Sequence, residues 1–156
     1  MDKTTKEQIM EQLKASQKQL CALLESVVDD QDWRPDPDEW SFRYIAAHLA
    51  TVDEDCFRDR IVKISASEHP HFEAYFNTGW DFGGHDLEES VRKWMATRQR
   101  ILAIVKVLPE TGWSLTGTHP RFGTMTVLSV LQVMLNHDLE HLEHLEKLIP
   151  QCRAES

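Results

Sequence analysis

Residues 127–149 read VLSVLQVMLNHDLEHLEHLEKLI, and this stretch decides the fold class. Its apolar residues recur at intervals of three and four positions, the spacing that lines one face of an α-helix. Thr124 and Thr126, which precede the run, are both suitable N-cap residues. The stretch therefore predicts an amphipathic helix of about six turns that ends near Ile149.

Three more segments show the same periodicity, so four helices are predicted in all. The first runs from about Thr5 to Val28, the second from Ser41 to about Ile64, and the third from Asp86 to about Leu108. Helices of about 22 residues are about 33 Å long and suit a four-helix bundle. No strand-type alternation of useful length occurs, and 156 residues is the usual size of one domain. The sequence thus predicts an all-α four-helix bundle that spans residues 1–156 as a single domain.

The connection between the second and third helices is long and rich in aromatic residues. It covers Ser65 to His85 and contains Phe72, Tyr75, Phe76, Trp80 and Phe82. Loops of this length are uncommon in compact domains unless they bind or cover something. We expect these rings either to form the wall or lid of a substrate pocket or to cap one end of the bundle.

Charge and hydropathy narrow the classes of partner. The net charge of −9, without a cluster of Lys and Arg, argues against a nucleic-acid surface. No apolar run is long enough to span a bilayer, and the first residues are charged and helix-forming rather than signal-like. We therefore expect a cytoplasmic protein that binds neither nucleic acid nor membrane.

The cysteines do not form a recognisable framework. Cys21, Cys56 and Cys152 are odd in number and lack CxxC spacing, so neither a set of disulfides nor a thiolate zinc site is expected. Cys21 and Cys56 lie on apolar helix faces, where a free cysteine behaves as a small hydrophobic residue. No adjacent residue would clearly lower the pKa of either thiol, so a catalytic role is not expected.

The histidines carry the main indication of chemistry. His137 and His141 lie four residues apart, one turn above each other on one helix face, so both imidazoles can reach a single ion. Zinc and similar metals accept imidazole nitrogen, and bundle interiors commonly build metal sites from facing helices. His48, in the middle of the second helix at the edge of its apolar seam, is the candidate for the third ligand. The sequence predicts a metal site formed by these three residues.

Alternatives to this site stay open. Spacing alone leaves His48 equally a buried histidine with its own hydrogen-bond partner, and a bundle without metal would make all three histidines ordinary polar residues. His144, one turn further along the fourth helix, is expected to face solvent or to support a ligand rather than to bind the ion. His119 is expected to be a turn residue. The alternative is that it lies over one end of the bundle, since it belongs to the loop that leads into the fourth helix.

Carboxylates near the site have two expected roles. A ligating histidine usually donates its second N–H to a carboxylate or a backbone carbonyl. Asp55, two turns after His48, or a carboxylate of the first helix is the expected partner. Asp138, Glu140 and Glu143 are expected to lie on a solvated face, because the ligand face excludes most of them.

Three blocks of the sequence resemble one known family. The first is WRP at 33–35 followed by WSFRYIAAHL at 40–49, which is similar to the entry to the second helix of DinB-like proteins. The second, HPRFGTMTV at 119–127, resembles the family's lead into its fourth helix, and HDLEHL at 137–142 resembles its HDxxH signature. The order and separation of the blocks match. The resemblance, to the DinB-like (DNA-damage-inducible) superfamily of metal-binding four-helix bundles, covers Thr5 to Ile149.

That resemblance implies a metal held by one histidine of the second helix and two of the fourth, which fall on His48, His137 and His141. It also implies a homodimer and, in several branches, a thiol S-transferase that uses bacillithiol, mycothiol or glutathione. Some of the similar mycothiol-dependent isomerases have Glu at the position of His137, so the resemblance does not favour that activity. The expected partners are a small-molecule thiol and an electrophilic substrate.

The expected cofactor is one divalent metal ion, zinc or nickel before iron or manganese. Three histidine ligands leave at least one coordination position open, as in catalytic rather than structural sites. Such an ion would hold a low-molecular-weight thiol as a metal-bound thiolate, a chemistry that the resemblance ranks first. A hydrolase that uses metal-bound water is one alternative. A non-catalytic, stress-associated bundle stabilised by the metal is the other, so whether the chain is an enzyme stays open.

Overall fold

The computed structural model describes residues 2–155 and confirms the four-helix bundle. Its α-helices are α1 (Lys3–Glu25), α2 (Phe42–Val52), α3 (Asp59–Ser65), α4 (Leu87–Lys106) and α5 (Val127–Ala154), with 3-10 turns at Val28–Asp30 and Glu110–Ser114. A π-helical segment, Asp53–Arg58, joins α2 to α3, so these three elements form one continuous second helix of the bundle. In the bundle, α1 packs mainly on α5, and α2 packs mainly on α4. None of the helices in the described part of the chain is long and apolar enough to cross a membrane.

The helices α1, α4 and α5 each begin where a side chain accepts a hydrogen bond from a free N–H group of the first turn. Asp86, where the third helix was predicted to begin, caps α4, and Thr126 rather than Thr124 caps α5, where it forms a capping box with Ser129. Asp2 caps α1 through a hydrogen bond from the Thr4 N–H, so the first helix begins slightly earlier than predicted. Each of these three helices is therefore capped by the residue that directly precedes it.

The last helix is longer than predicted, because Pro150 does not end it. A proline inside a helix lacks one N–H donor and usually kinks or terminates the helix. Here Ile149 and Cys152 are each only 4 % exposed, so the last turns pack into the bundle. Burial of those side chains offsets the missing hydrogen bond, and α5 continues to Ala154.

The connector before α5 contains a small hairpin that the sequence did not predict. Its strands, β1 (Gly117–His119) and β2 (Gly123–Met125), pair antiparallel, and three residues each are too few to show alternation. The long loop joins this hairpin: the Phe72 N–H donates to the Thr118 carbonyl at 2.7 Å. A Cβ at Gly117 would lie 2.8 Å from the Phe72 ring, so only glycine permits this close approach. Loop and hairpin therefore form a single layer.

A layer of buried polar residues separates two apolar clusters of the bundle core. Each bundle helix supplies one residue, namely Ser16, Asp53, Arg98 and Asp138, all at most 4 % exposed. Along each helix this residue lies between members of the two clusters. The layer therefore connects all four helices at one level.

Arg98 is the centre of this layer, and all five of its N–H groups are hydrogen-bonded. It donates to both carboxylate oxygens of Asp53 (2.8 and 3.2 Å), to both of Asp138 (2.8 and 3.0 Å) and to the Leu13 carbonyl (3.1 Å). Asp138 also accepts from Ser16 Oγ at 2.6 Å. The expectation that Asp138 lies on a solvated face was therefore wrong.

Candidate metal centre

The structure brings the three predicted ligands together, and one of them, His137, directly precedes Asp138 of the polar layer. His48 on α2 is buried, while His137 and His141 on α5 are half-buried. One ring nitrogen of each lies within 4.8 Å of the other two. The Nε2 atom of His137 is 3.1 Å from Nε2 of His48 and 3.1 Å from Nε2 of His141. Three imidazoles from two helices thus converge on one point.

These contacts fit a shared metal ion better than they fit hydrogen bonds. The Nδ1 atom of His48 lies 2.6 Å from Asn77 Oδ1, an acceptor, so His48 carries its proton on Nδ1 and presents a lone pair at Nε2. The Nε2 atom of His137 holds either a proton or a lone pair, so at most one of its two contacts can be a linear hydrogen bond. Nitrogen ligands about 2.0–2.1 Å from one ion stand about 2.9–3.4 Å apart for bond angles of about 90–109°. The observed separations of 3.1 Å lie in that range.

Burial keeps the imidazoles in the neutral form that metals bind. Desolvation lowers the pKa of His48, and the hydrogen bond to Asn77 only partly opposes it. Burial, with the neighbouring His48, lowers the pKa of His137 to about 4. Burial, with His137 and His48, lowers the pKa of His141 to about 2. The three rings are therefore uncharged at neutral pH, as ligation requires.

The partner that orients His48 is Asn77, a residue that sequence reasoning missed. Asp55, the partner expected from the sequence, instead lies 3.4 Å from the Tyr75 hydroxyl. Asn77 belongs to the long loop, 29 residues away, and is 1 % exposed. An amide oxygen can fix the tautomer of a ligating histidine as a carboxylate does, but without adding a negative charge.

Asn77 is held in place by a tight turn and by Tyr44, one helical turn before His48. The Trp80 N–H donates to the Asn77 carbonyl at 3.2 Å, and Gly79 has φ +85°, as a type II turn requires at its third residue. The Tyr44 hydroxyl donates to the Asn77 carbonyl at 2.9 Å and accepts from the Gly79 N–H at 3.1 Å. The spacing Asn-Thr-Gly indicates a turn, but no sequence signal shows that its first side chain reaches α2.

We expect Asn77→Ala to weaken binding of zinc or nickel by about 10–100-fold, the usual cost of removing a partner of a ligating histidine. Asp55→Ala is the matched control, because it removes the partner expected from the sequence and should leave the affinity unchanged. Competition with a chelating indicator dye measures both affinities. Equal losses in the two variants would contradict the assignment of Asn77.

A cavity of about 400 Å³ adjoins the histidines. His48 and His137 line it, together with Phe57 and with Tyr75 and Phe76 of the long loop. The rings of the long loop divide between this cavity and the bundle. Tyr75 and Phe76 form a wall of the cavity, whereas Phe82 is buried and packs edge-on against Tyr44 with ring centroids 4.8 Å apart.

The remaining sequence candidates lie outside the cluster. His119 was expected in a turn but is the last residue of β1; its Nδ1 accepts from the N–H groups of the turn residues Arg121 (3.0 Å) and Phe122 (3.2 Å), and it also lines the cavity. His144 is half-buried and is not one of the clustered histidines. Burial raises the pKa of the Cys56 thiol, which lines the cavity, to about 11, so it is protonated at neutral pH.

Comparison with known proteins gives a family and a fold. The sequence profile of the DinB superfamily matches residues 12–145. One solved structure is similar to this chain with a TM-score of 0.83 and 20 % sequence identity. The alignment covers 97 % of this chain and 90 % of the chain in that structure. That protein is described as YfiT from Bacillus subtilis, "a probable metal-dependent hydrolase with an unusual four-helix bundle topology". No curated protein sequence is significantly similar to this chain.

Proposed function

We propose, given that the chain belongs to the DinB superfamily, that it is a metal-dependent enzyme in which His48, His137 and His141 hold one divalent ion, zinc or nickel. The observation that carries this proposal is the convergence of three neutral imidazoles beside a cavity of about 400 Å³. A structural site usually has four protein ligands, whereas a catalytic site keeps a position open. Within residues 2–155, no fourth His, Cys, Asp or Glu joins the cluster.

We further propose that the reaction is thiol S-transfer. A bound divalent ion would deprotonate a thiol that coordinates to it and so supply a nucleophile at neutral pH. A sulfur–carbon bond then forms with the electrophile, whose leaving group departs with the bonding pair, and the thiol proton passes to solvent. Cys56 is not one of the clustered ligands and burial raises the pKa of its thiol, so we take the nucleophile to be the thiol of a second substrate.

Aromatic side chains would protect the nucleophile from water. The Trp40 ring lies with its centroid 4.7 Å from that of His48 and 6.2 Å from that of His141. The Phe57 ring packs edge-on against His137 at 5.8 Å. Apolar groups around the imidazoles lower the local dielectric and strengthen the interaction of the site with an anionic nucleophile.

Hydrolysis is the second candidate, and Glu140 is the observation that favours it. Glu140 lies one turn after His137 and is the sole acidic residue that lines the cavity in the described part of the chain. A carboxylate in that position can accept a proton from an attacking water. The description of YfiT as a probable hydrolase points the same way.

The test compares the two reactions on the metal-loaded and metal-stripped chain at pH 6.5. A free thiol with a pKa of about 8.5 is about 1 % ionised there, so its deprotonation in the site should accelerate transfer at least about tenfold. Bacillithiol, mycothiol and glutathione serve as thiols, 1-chloro-2,4-dinitrobenzene as electrophile, and a panel of amides and esters as hydrolase substrates. Product absorbance gives the rates.

Glu140→Gln separates the candidates. If dinitrophenyl thioether formation depends on the metal and Glu140→Gln leaves it intact, the result supports S-transfer. If hydrolysis depends on the metal and Glu140→Gln abolishes it, the protein is a hydrolase and not an S-transferase. If neither reaction depends on the metal and the stripped chain unfolds, the non-catalytic bundle is correct.

A further inference from the structure

The cavity beside the histidines is lined by two arginines that the reaction described above does not use. Arg60 belongs to α3, and Arg121 lies in the turn of the β1–β2 hairpin. Glu140 is the single acidic residue opposite them in the lining that the structure describes. The cavity therefore carries an excess of positive charge within a chain whose net charge is −9.

Arg60 is buried without a counter-ion. It is 6 % exposed, donates one hydrogen bond to the Glu73 carbonyl (3.3 Å) and stacks on the Phe72 ring at 5.4 Å. None of the ion pairs among residues 2–155 involves it. Among the described residues, the buried polar atoms without a partner include none of Arg60, so its unpaired nitrogen atoms reach the cavity and most of its five N–H groups remain available to a ligand. Arg98 is also buried, but in contrast to Arg60 it forms ion pairs with two aspartates, Asp53 and Asp138.

The position of Arg60 is fixed rather than incidental. Phe72, on which it stacks, packs against Gly117 so closely that no side chain fits there. His119 fixes the turn that carries Arg121 by accepting the Arg121 N–H at 3.0 Å. Burial, with the charges of Arg60 and Arg121, lowers the pKa of His119, so both guanidinium groups act on the same part of the cavity.

We infer that Arg60 and Arg121 bind an anionic oxygen group, a carboxylate or a phosphate, of the small molecule that reacts at the histidines. The inference rests on the proposed function for the reacting group, which is a thiol. The guanidinium fork matches two oxygens of either anion, and burial strengthens such charge-assisted hydrogen bonds. The substrate class is therefore an acidic low-molecular-weight thiol rather than a neutral one.

Calorimetric titration of the metal-loaded chain with N-acetylcysteine and with its uncharged amide tests the inference. The two probes differ only in the carboxylate. We expect the acid to bind about tenfold more tightly, the worth of one hydrogen bond to a charged group, and Arg60→Gln to remove this preference without changing the affinity for the amide. Arg58→Gln is the matched control: it removes the same charge from a neighbouring arginine that pairs with Glu54 at 3.4 Å and does not line the cavity.

Two further measurements keep the outcome clear. Arg121→Gln changes an exposed residue, so it should fold normally and lose about threefold in affinity for the acid. Titration of the metal-stripped chain with succinate and with inorganic phosphate identifies the preferred anion independently of any thiol. Arg60-dependent binding of either anion supports this inference even if S-transfer is absent. Equal affinities of the native chain for acid and amide, or equal losses in Arg60→Gln and Arg58→Gln, would overturn it.

Discussion

The His141→Ala chain, purified without a nickel column, is expected to retain less than about a tenth of a metal ion per chain where the native chain retains about one. Zinc sites with four ligands have binding free energies of about 10–16 kcal/mol, so each ligand contributes about 3–4 kcal/mol. Loss of one ligand therefore weakens binding by several hundred-fold, and dialysis then removes the ion. Inductively coupled plasma mass spectrometry measures the content.

His144→Ala is the matched control for this experiment. His144 lies on α5 only three residues beyond His141, is also half-buried, and does not belong to the clustered histidines. Its removal should leave the metal content unchanged. A His141→Ala chain that keeps the native content would place the ion elsewhere. A native chain that binds none of zinc, nickel, iron or manganese would leave only the bundle.

Local pattern was sufficient for most of this candidate site. The four-residue spacing of His137 and His141 is a property of a single helix, and periodicity predicts that helix directly. The prediction of His48 depended on a second helix that faces the helix of His137 and His141. A four-helix bundle provides such a neighbour, and the family resemblance supported the choice of His48. Asn77 could not be predicted, because its contact with His48 depends on how a loop of irregular backbone folds back over α2. No periodicity describes such a loop.

The error about Asp138 has a different physical origin. Consecutive residues on an α-helix point about 100° apart, so the face that carries His137 directs Asp138 away from the second helix of the bundle. In the sequence alone, that direction cannot be distinguished from one that faces solvent. Within the bundle, α5 also packs against α1, and the side chain meets Ser16 and Arg98 instead. A helix that packs against more than one neighbour buries a wider arc of its surface than the face that carries the metal ligands.

Arg98→Met is expected to lower the free energy of unfolding by about 3–5 kcal/mol, the usual cost of removing one partner of a buried ion pair. The substitution leaves the carboxylates of Asp53 and Asp138 buried without a cation. Burial already raises the pKa of Asp53 against the opposing charge of Arg98, so its ionised form depends on that guanidinium. Domains of this size have stabilities of about 5–15 kcal/mol, so the variant should be marginally folded. Urea denaturation followed by circular dichroism measures the difference.

Arg100→Met tests whether the effect belongs to the buried layer. Arg100 also lies on α4 and pairs with Glu54 at 3.1 Å, but its side chain is 56 % exposed, so the change should cost at most about 1 kcal/mol. Adding Asp53→Leu and Asp138→Leu to Arg98→Met removes the orphaned charges and should restore much of the lost stability. If the restored bundle binds metal more weakly than the native chain, the layer also positions His137, the neighbour of Asp138. Equal losses in Arg98→Met and Arg100→Met would show that the buried network contributes no more than a surface ion pair.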